Sequence, residues 1–157
     1  MGNDVVVPPT GSSEAVWGYV PRRITFSKKS SPQDTNEYST TSTSATTVAT
    51  EKVNFGKPNA IIHIVRARFI RDARTSNSAY GCYSRILIEG NEYCYKVTYS
   101  DTYVTLDTES IVDLYVKADA NGDVSVSVQL YSGNADYAVY IKNITIELWG
   151  IVVEPEQ

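Results

Sequence analysis

The sequence of 157 residues has few of the side chains that build metal and catalytic sites. It contains one histidine, two cysteines and one methionine, which is the first residue. No Cys-x-x-Cys pair is present to begin a zinc site, and no Gly-rich phosphate loop occurs. A single histidine without identifiable partners gives no basis for a catalytic triad. We therefore expect a chain that is not an enzyme and that uses no metal and no cofactor.

Long apolar runs are also missing from the sequence. No run approaches the ~20 apolar residues that a membrane-spanning helix requires. The start, Met1-Gly2-Asn3-Asp4, has neither the basic nor the apolar region of a signal peptide. These patterns predict no membrane partner.

The sequence is rich in side chains that favour β-structure. Its 12 tyrosines accompany many valines, isoleucines, serines and threonines, and Tyr, Val, Ile and Thr fit the pleated surface of a sheet. Residues 46–157 show eight or nine strand patterns with turn signals between them, and no helical period. We predict an all-β domain, an antiparallel two-sheet β-sandwich of the jelly-roll or Greek-key type.

Residues 1–45 differ from the rest and are predicted to be a flexible arm rich in Ser and Thr. The segment has no sustained period and cannot bury enough apolar surface to offset its ordering entropy. Short apolar islands around Trp17 and Phe26 could each dock as an edge strand. Such an arm either orders against a neighbouring subunit or remains a frayed terminus. Its basic residues are Arg22, Arg23, Lys28 and Lys29.

The clearest strand pair surrounds the segment Asp119–Asp123. Alternating apolar residues run from Val112 to Ala118 before it and from Val124 to Leu130 after it. A three-residue loop with Gly122 in the left-handed conformation matches the two apolar faces. We therefore predict that these strands form a hairpin.

A second predicted hairpin turns at residues 89–91 and carries both cysteines. Its expected register places Cys82 and Cys94 about 13 Å apart along the strands, which is too far for a disulfide. We expect two small buried thiols.

Alternation along residues 60–70 predicts His63 on the inner face, as a satisfied core residue, with Arg66 and Arg68 facing water. With Arg71 and Arg74 these arginines make a local basic group, either a solvated face or a contact for phosphates. The pI of about 5.0 and the lack of a recognised nucleic-acid motif argue against nucleic acid as a partner.

The charges are unevenly divided along the chain. Residues 1–85 contain 11 Lys/Arg and 6 Asp/Glu, a net charge of +5, whereas residues 86–157 contain 3 and 12, a net charge of −9. Either the strands interleave and the charges mix in space, or the molecule has one basic face and one acidic face.

Exposed aromatic side chains are the strongest sign of a contact surface. In the last strand, alternating residues from Ile144 to Leu148 are predicted to face the core. The indole of Trp149 is predicted to point outward. It is either covered by the arm or another subunit, which we favour, or it offers a platform to a sugar ring. The outward-facing contact candidates are Thr145, Glu147, Trp149 and, on another strand, Tyr115.

Two resemblances to known families follow from these residues. The loop Asp119-Ala120-Asn121-Gly122-Asp123 resembles the start of EF-hand and dockerin calcium loops over five residues only, and Val124 and Leu130 stand where that family requires Gly and Glu. The hairpin is the better interpretation.

The basic arm, with its Ser/Thr run over residues 39–47, followed by a sandwich, resembles small jelly-roll structural proteins of viruses. The composition, with abundant Tyr, Val and Ile and few Met, Cys, His and Gln, is similar to that of orphan proteins of hyperthermophilic archaeal viruses. This resemblance implies a virion or host-cytoplasm location and assigns no residue roles.

Together these patterns predict a non-catalytic structural or assembly protein, a viral component in the setting that the resemblance implies. It would form homo-oligomers through its sheet faces and its arm. The alternative is a carbohydrate-binding module of the jelly-roll type, with a glycan as partner.

Overall fold

The computed structural model describes residues 25–153 as two antiparallel sheets. Within this range there is no helix, so the predicted all-β sandwich is confirmed. The nine strands are β1 Ser27–Ser30, β2 Tyr38–Thr40, β3 Thr46–Asn54, β4 Ile61–Thr75, β5 Cys82–Ile88, β6 Asn91–Thr98, β7 Val104–Lys117, β8 Asp123–Ser132 and β9 Val139–Val153.

The strands pair as a nested set. β5 pairs with β6, β4 with β7, β3 with β8, and both β1 and β2 with β9. Successive pairs alternate between two sheets, whose strand orders are β1-β9-β4-β7, with β2 also on β9, and β3-β8-β5-β6. This winding is that of a jelly roll, so the larger sheet has five strands and the smaller has four.

The core lies between the inner faces of the two sheets. Val124, Val126, Val128 and Leu130 of β8 are fully or almost fully buried, as their alternation predicts. They meet a second alternating set on β9, formed by Ile144, Ile146 and Leu148. Burying apolar side chains of this size stabilises the fold by about 1.5–3 kcal/mol each.

β7 and β8 do not form the predicted hairpin. β7 pairs with β4 in one sheet, and β8 pairs with β3 and β5 in the other, so Asp119–Asp123 connects the two sheets. Gly122 has the expected left-handed φ, 84°. The pairing was wrong because alternation identifies the buried face of each strand but does not identify its neighbour.

The second hairpin is present, with a tighter turn than expected. Ile88 pairs with Asn91, and both loop residues have positive φ, 51° at Glu89 and 79° at Gly90, as in a type I′ turn. Cys94 has a φ of 60° beside a register shift. The cysteines are buried and free, as predicted.

Two strands lie inside the segment predicted to be a flexible arm. β1 pairs with residues 147–150 and β2 with residues 139–141 of β9, so the described part of that segment, residues 25–45, belongs to the sandwich. The side chains of β1 are all exposed. Backbone hydrogen bonds, and not buried side chains, hold this edge strand in the sheet. Its sequence therefore shows no apolar period from which the strand could be predicted.

A bulge near Val65 reverses the two faces of β4. The register of β4 shifts between Ile64 and Arg66 against both of its neighbours. Ile62 and Ile64 therefore point inward before the bulge, and Ala67 and Phe69 after it. One inserted residue moves every later side chain to the opposite face, so the expected inward position of His63 was wrong.

Candidate functional site

Four tyrosines cluster on the outer face of the four-stranded sheet. The alternation of β5 and β8 points Tyr83 and Tyr131 outward, and the register places them directly opposite each other. Their rings stack with centroids 4.7 Å apart and an angle of 6° between planes. Tyr95 of β6 stacks on Tyr83 from the other side, at 6.4 Å. We call the surface formed by Tyr83, Tyr95, Tyr99 and Tyr131 the tyrosine face.

The tyrosine face is half open to solvent. Tyr95 and Tyr99 are 49% and 50% exposed. The hydroxyls of Tyr83 and Tyr99 are 3.5 Å apart, and this contact together with burial raises the pKa of Tyr83 to about 12. Burial likewise raises the pKa of Tyr95. Tyr83 and Tyr95 therefore present neutral hydroxyls on this face.

A second aromatic pair extends this surface at one end of the sheet. The rings of Tyr80 and Tyr137 stack with centroids 5.2 Å apart. Gly133 lies between the two groups, because a Cβ at this position would meet Tyr80 and Tyr83 at 3.5 Å each. The Tyr80–Tyr137 pair therefore lies next to the tyrosine face, on the other side of Gly133.

The outer face of the five-stranded sheet is charged. Arg68 of β4 contacts Asp107 of β7, at 2.8 Å through its Nε, and Glu147 of β9, at 3.2 Å. Lys28 of β1 reaches the other oxygen of Glu147 at 3.4 Å. Arg66 contacts Glu109. We call these six side chains the ion-pair face; in it, residues from the positive and negative halves of the chain are neighbours.

Trp149 lies on this charged face, outside the core. It is half-buried, and the guanidinium of Arg66 lies 4.6 Å from the centre of its ring. Such a cation–π contact is worth about 0.5–1 kcal/mol at an exposed site. Arg66 therefore covers part of the indole. The two other contact candidates of this strand are also partly covered: Glu147 is 8% exposed, and Thr145 is half-buried.

Tyr115 and His63 form a separate aromatic contact near the bulge of β4. Tyr115 is 65% exposed, and its ring stacks on the imidazole at 4.3 Å. The Nε2 of His63 lies 2.8 Å from Asp113, and Phe26 packs against the ring edge-on. The histidine is thus a surface residue of the five-stranded sheet.

The four arginines predicted as one basic group lie in three different environments. Arg66 and Arg68 belong to the ion-pair face. Arg74 lies over the rings of Tyr140 and Tyr103, at 4.0 and 5.4 Å. Arg71 is fully buried between the sheets. Arg71 therefore does not belong to the predicted basic group on the surface, because odd and even positions after the bulge point to opposite faces.

Arg71 is satisfied in the core without a carboxylate among its hydrogen-bond partners. Its Nε donates to Ser84 Oγ at 2.9 Å, and its Nη1 donates to Thr108 Oγ1 at 2.7 Å and to the carbonyl of Phe69 at 3.0 Å. Its Nη2 lies 3.4 Å from the carbonyls of Ser84 and Cys94. Burial lowers its pKa to about 10, so the guanidinium remains charged at neutral pH.

Asp34 and Glu51 form a carboxyl pair at the edge where β3 faces the β1–β2 connection. Glu51 is 8% exposed and points inward from β3. Asp34 accepts hydrogen bonds from Tyr38 Oη at 2.6 Å and Asn36 N at 3.0 Å. Burial, followed by the contact with Asp34, raises the pKa of Glu51 to about 8, whereas the pKa of Asp34 is lowered by its hydrogen bonds, although burial opposes this.

The remaining polar features offer no further site. Residues 25–153 contain no group of three or more His, Cys, Asp or Glu side chains placed to hold a metal ion. A shallow depression of about 280 Å³ is lined by Arg66, Glu109, Ser110 and Ile111. The described part of the chain also has no helix with the length and hydropathy of a membrane span.

No protein-family model and no curated protein matches the sequence. Solved structures that match this chain include the Eiger TNF of S. frugiperda, at 12% identity and a TM-score of 0.34, covering 85% of this chain and 99% of that chain. Infectious bursal disease virus particles, the Gx strain and a T13 particle, match at 8% and 7% identity with TM-scores of 0.29 and 0.28. They cover 94% and 96% of this chain, which spans 42% and 44% of the viral chains.

Sequence reasoning missed the tyrosine face, although its signal was present. The alternation that buries Val124 to Leu130 leaves Ser125, Ser127 and Gln129 on the outer face, and it continues to Tyr131. The partner strand β5 could not be identified from the pattern, so the stacking of Tyr83 on Tyr131 was not foreseen. Trp17, Arg22 and Arg23 lie outside the described residues.

Proposed function

We propose that this chain is a non-catalytic structural protein that associates with copies of itself through the tyrosine face. The observation that carries the proposal is the contiguous group of stacked rings on an outer sheet surface, with Tyr95 and Tyr99 about half exposed. Single exposed aromatics are common, whereas contiguous aromatic patches are enriched in protein interfaces.

The electrostatics favour a second copy as the occupant. A two-fold interface brings the same patch of both subunits together, so a charged patch would repel itself. The tyrosine face contains no Lys, Arg, Asp or Glu side chain, and the neighbouring Arg85 pairs with Glu92 at 2.9 Å. The ion-pair face, by contrast, holds hydrated charges whose removal from water is costly.

The shape of the described surface supports a role without catalysis. The depression beside Arg66 is lined by one carboxylate, that of Glu109, whereas hydrolytic sites of the two-carboxylate type need a convergent pair. Asp34 and Glu51 do converge, but Tyr38 and Asn36 already hydrogen-bond the Asp34 oxygens.

Light scattering after size-exclusion chromatography tests the proposal. We expect the full chain to be a dimer or larger, and the double variant Tyr95→Ser/Tyr99→Ser to dissociate. Tyr115→Ser is the control, because Tyr115 is even more exposed than Tyr95 and Tyr99 but lies on the other sheet. A wild-type monomer at high concentration, or equal masses for both variants, would refute the proposal.

A virion is the setting that we propose for this assembly. The support is the resemblance in composition and in the basic Ser/Thr-rich segment described above. Mass spectrometry of virus particles purified from the source of the protein tests this setting. Absence of the protein from the particles would count against it.

Carbohydrate binding is the second candidate, and the ring of Tyr95 favours it. β6 is an edge strand, and Tyr83 stacks on Tyr95 from the sheet side, which leaves the opposite ring face toward solvent. A glycan array compares the wild type with Tyr95→Ala and Trp149→Ala. Binding that only Tyr95→Ala abolishes would support a sugar platform, and absence of binding would remove this candidate.

A further inference from the structure

Most of the large apolar side chains that residues 25–153 expose lie at one end of the five-stranded sheet. Four of the six are there, namely Ile61, Ile111, Tyr115 and Val153, and the other two belong to the tyrosine face. Ile111 and Tyr115 are the most exposed of the six, at 82% and 65%. Exposed apolar side chains that are grouped in this way mark a contact site.

The four side chains share the outer face of the sheet. Ile61 of β4 pairs with Val153 of β9, and two residues along β4 the ring of His63 stacks on that of Tyr115. Ile111 projects on the same side of β7 as Tyr115, because the two are separated by an even number of positions. A shallow depression of about 280 Å³ lies beside Ile111. We call Ile61, His63, Ile111, Tyr115 and Val153 the apolar end.

The chain enters the described structure beside the apolar end. β1 is antiparallel to β9 and its Ser27 pairs with Gly150, so the residues before Ser27 lie toward Val153. Phe26 already contacts this surface, because its ring packs edge-on against His63 with centroids 5.6 Å apart. Any segment that precedes Thr25 in the sequence therefore starts next to an uncovered apolar surface.

An apolar segment of matching character lies a short distance upstream. Residues 16–20, with the sequence Val-Trp-Gly-Tyr-Val, end five residues before Thr25. An extended chain of five residues spans about 17 Å. The distance across the sheet from β1 to β7 is three strand spacings, about 14 Å. The segment can therefore reach every member of the apolar end.

We propose that residues 16–20 dock on the apolar end of their own chain and bring Trp17 onto the surface around Tyr115. A tether this short gives the segment an effective concentration in the millimolar range, about 10⁻³ M, which favours it over a second copy. Charge also matches: Arg22 and Arg23 follow the segment, and the side chain of Asp113, beside His63, is 81% exposed.

Acrylamide quenching of tryptophan fluorescence tests the docking in the full chain. The sequence has two tryptophans, so Trp149→Phe leaves Trp17 as the only emitter. We expect Trp17 to be protected from quenching, and Ile111→Ser/Tyr115→Ser in the same background to remove the protection. Tyr95→Ser/Tyr99→Ser makes a comparable change on the tyrosine face and should leave it intact. An unprotected Trp17, or equal quenching in the two double variants, would overturn the proposal.

The only histidine gives a second measurement that leaves Trp149 unchanged. Diethyl pyrocarbonate modifies accessible imidazoles, and peptide mapping follows its reaction with His63. Trp17→Ser should raise the rate several-fold by uncovering the apolar end, whereas Trp17→Phe should retain the slow rate. An equal rate in both variants would contradict the docking.

Dilution separates the segment's own chain from a neighbouring one. Docking within one chain should protect Trp17 equally at all protein concentrations, including those at which light scattering shows a monomer. Protection that is lost on dilution would identify a second copy as the occupant and overturn the proposal. The oligomer mass of the same samples tests the tyrosine face separately.

Discussion

Arg71 Nε donates a hydrogen bond to Ser84 Oγ across the core, at 2.9 Å, and so joins β4 of one sheet to β5 of the other. All the hydrogen-bond acceptors of this guanidinium are uncharged. Its planar shape matters because several acceptors in two sheets must be reached from one group. The contact fixes how the sheets face each other at this level of the sandwich.

We expect Arg71→Lys to destabilise the protein by about 2–4 kcal/mol. The ammonium group keeps the charge but cannot reach the same acceptors, so buried oxygens lose their donors, at about 1–3 kcal/mol each. Urea unfolding measures the change. Arg66→Lys on the outer face is the control and should cost less than about 1 kcal/mol. Equal effects of the two changes would contradict the structural role of Arg71.

Stability should fall as the pH rises from about 4.5 to about 8. The folded state keeps the Glu51 proton up to its pKa of about 8, whereas the unfolded state releases it at the ordinary value of 4.5. The folded state therefore binds more protons in this window, and the unfolding free energy decreases with pH. Glu51→Gln should show a flatter pH profile in thermal melts. A profile that this change leaves unaltered would refute the assignment.

Glu147→Gln should weaken the ion-pair face. Glu147 is 8% exposed and receives both Lys28 and Arg68, so removing its charge leaves two cations without this partner. We expect a lower urea midpoint than that of the wild type, with a smaller difference at high salt because ions screen the network. Asp136→Asn, at an exposed loop position, should leave the midpoint unchanged. A Glu147→Gln midpoint equal to that of the control would show that the network contributes nothing.

Neither thiol should react in the folded protein. Cys82 and Cys94 are buried, and burial raises both thiol pKa values, that of Cys82 to about 11. The thiolate is the reactive form, so a disulfide reagent should titrate both cysteines only after denaturation. Rapid reaction of a native thiol would show that the sheets open at this place.

The sequence predicted the faces of the strands better than their neighbours. Alternation found the buried residues Val124–Leu130 and Ile144–Leu148 because burial on one face leaves a period of two. It could not show that β7 pairs with β4, since any partner with an apolar inner face satisfies the same pattern. The bulge near Val65 left no signal in composition, and this single insertion turned His63 outward, whereas Arg71 points inward with Ala67 and Phe69.

The sequence predicted an exposed aromatic surface, but at residues other than those of the tyrosine face. An exposed aromatic contact surface was predicted around Trp149 and Tyr115, whereas the largest contiguous group of rings in the described residues is the tyrosine face. Tyr83, Tyr95 and Tyr131 come from three strands whose adjacency depends on the nested winding, and Tyr99 follows the end of β6. The Asp34–Glu51 pair likewise joins two segments that only the tertiary fold brings together.

The polar character of β1 has a consequence for how assemblies can grow. Ser27–Ser30 is an outer strand of the five-stranded sheet within the described residues, and it displays two lysines and two serines. Lysines on a free strand oppose the addition of a further strand from another molecule. Growth into fibrils by addition of a strand at this edge should therefore be disfavoured.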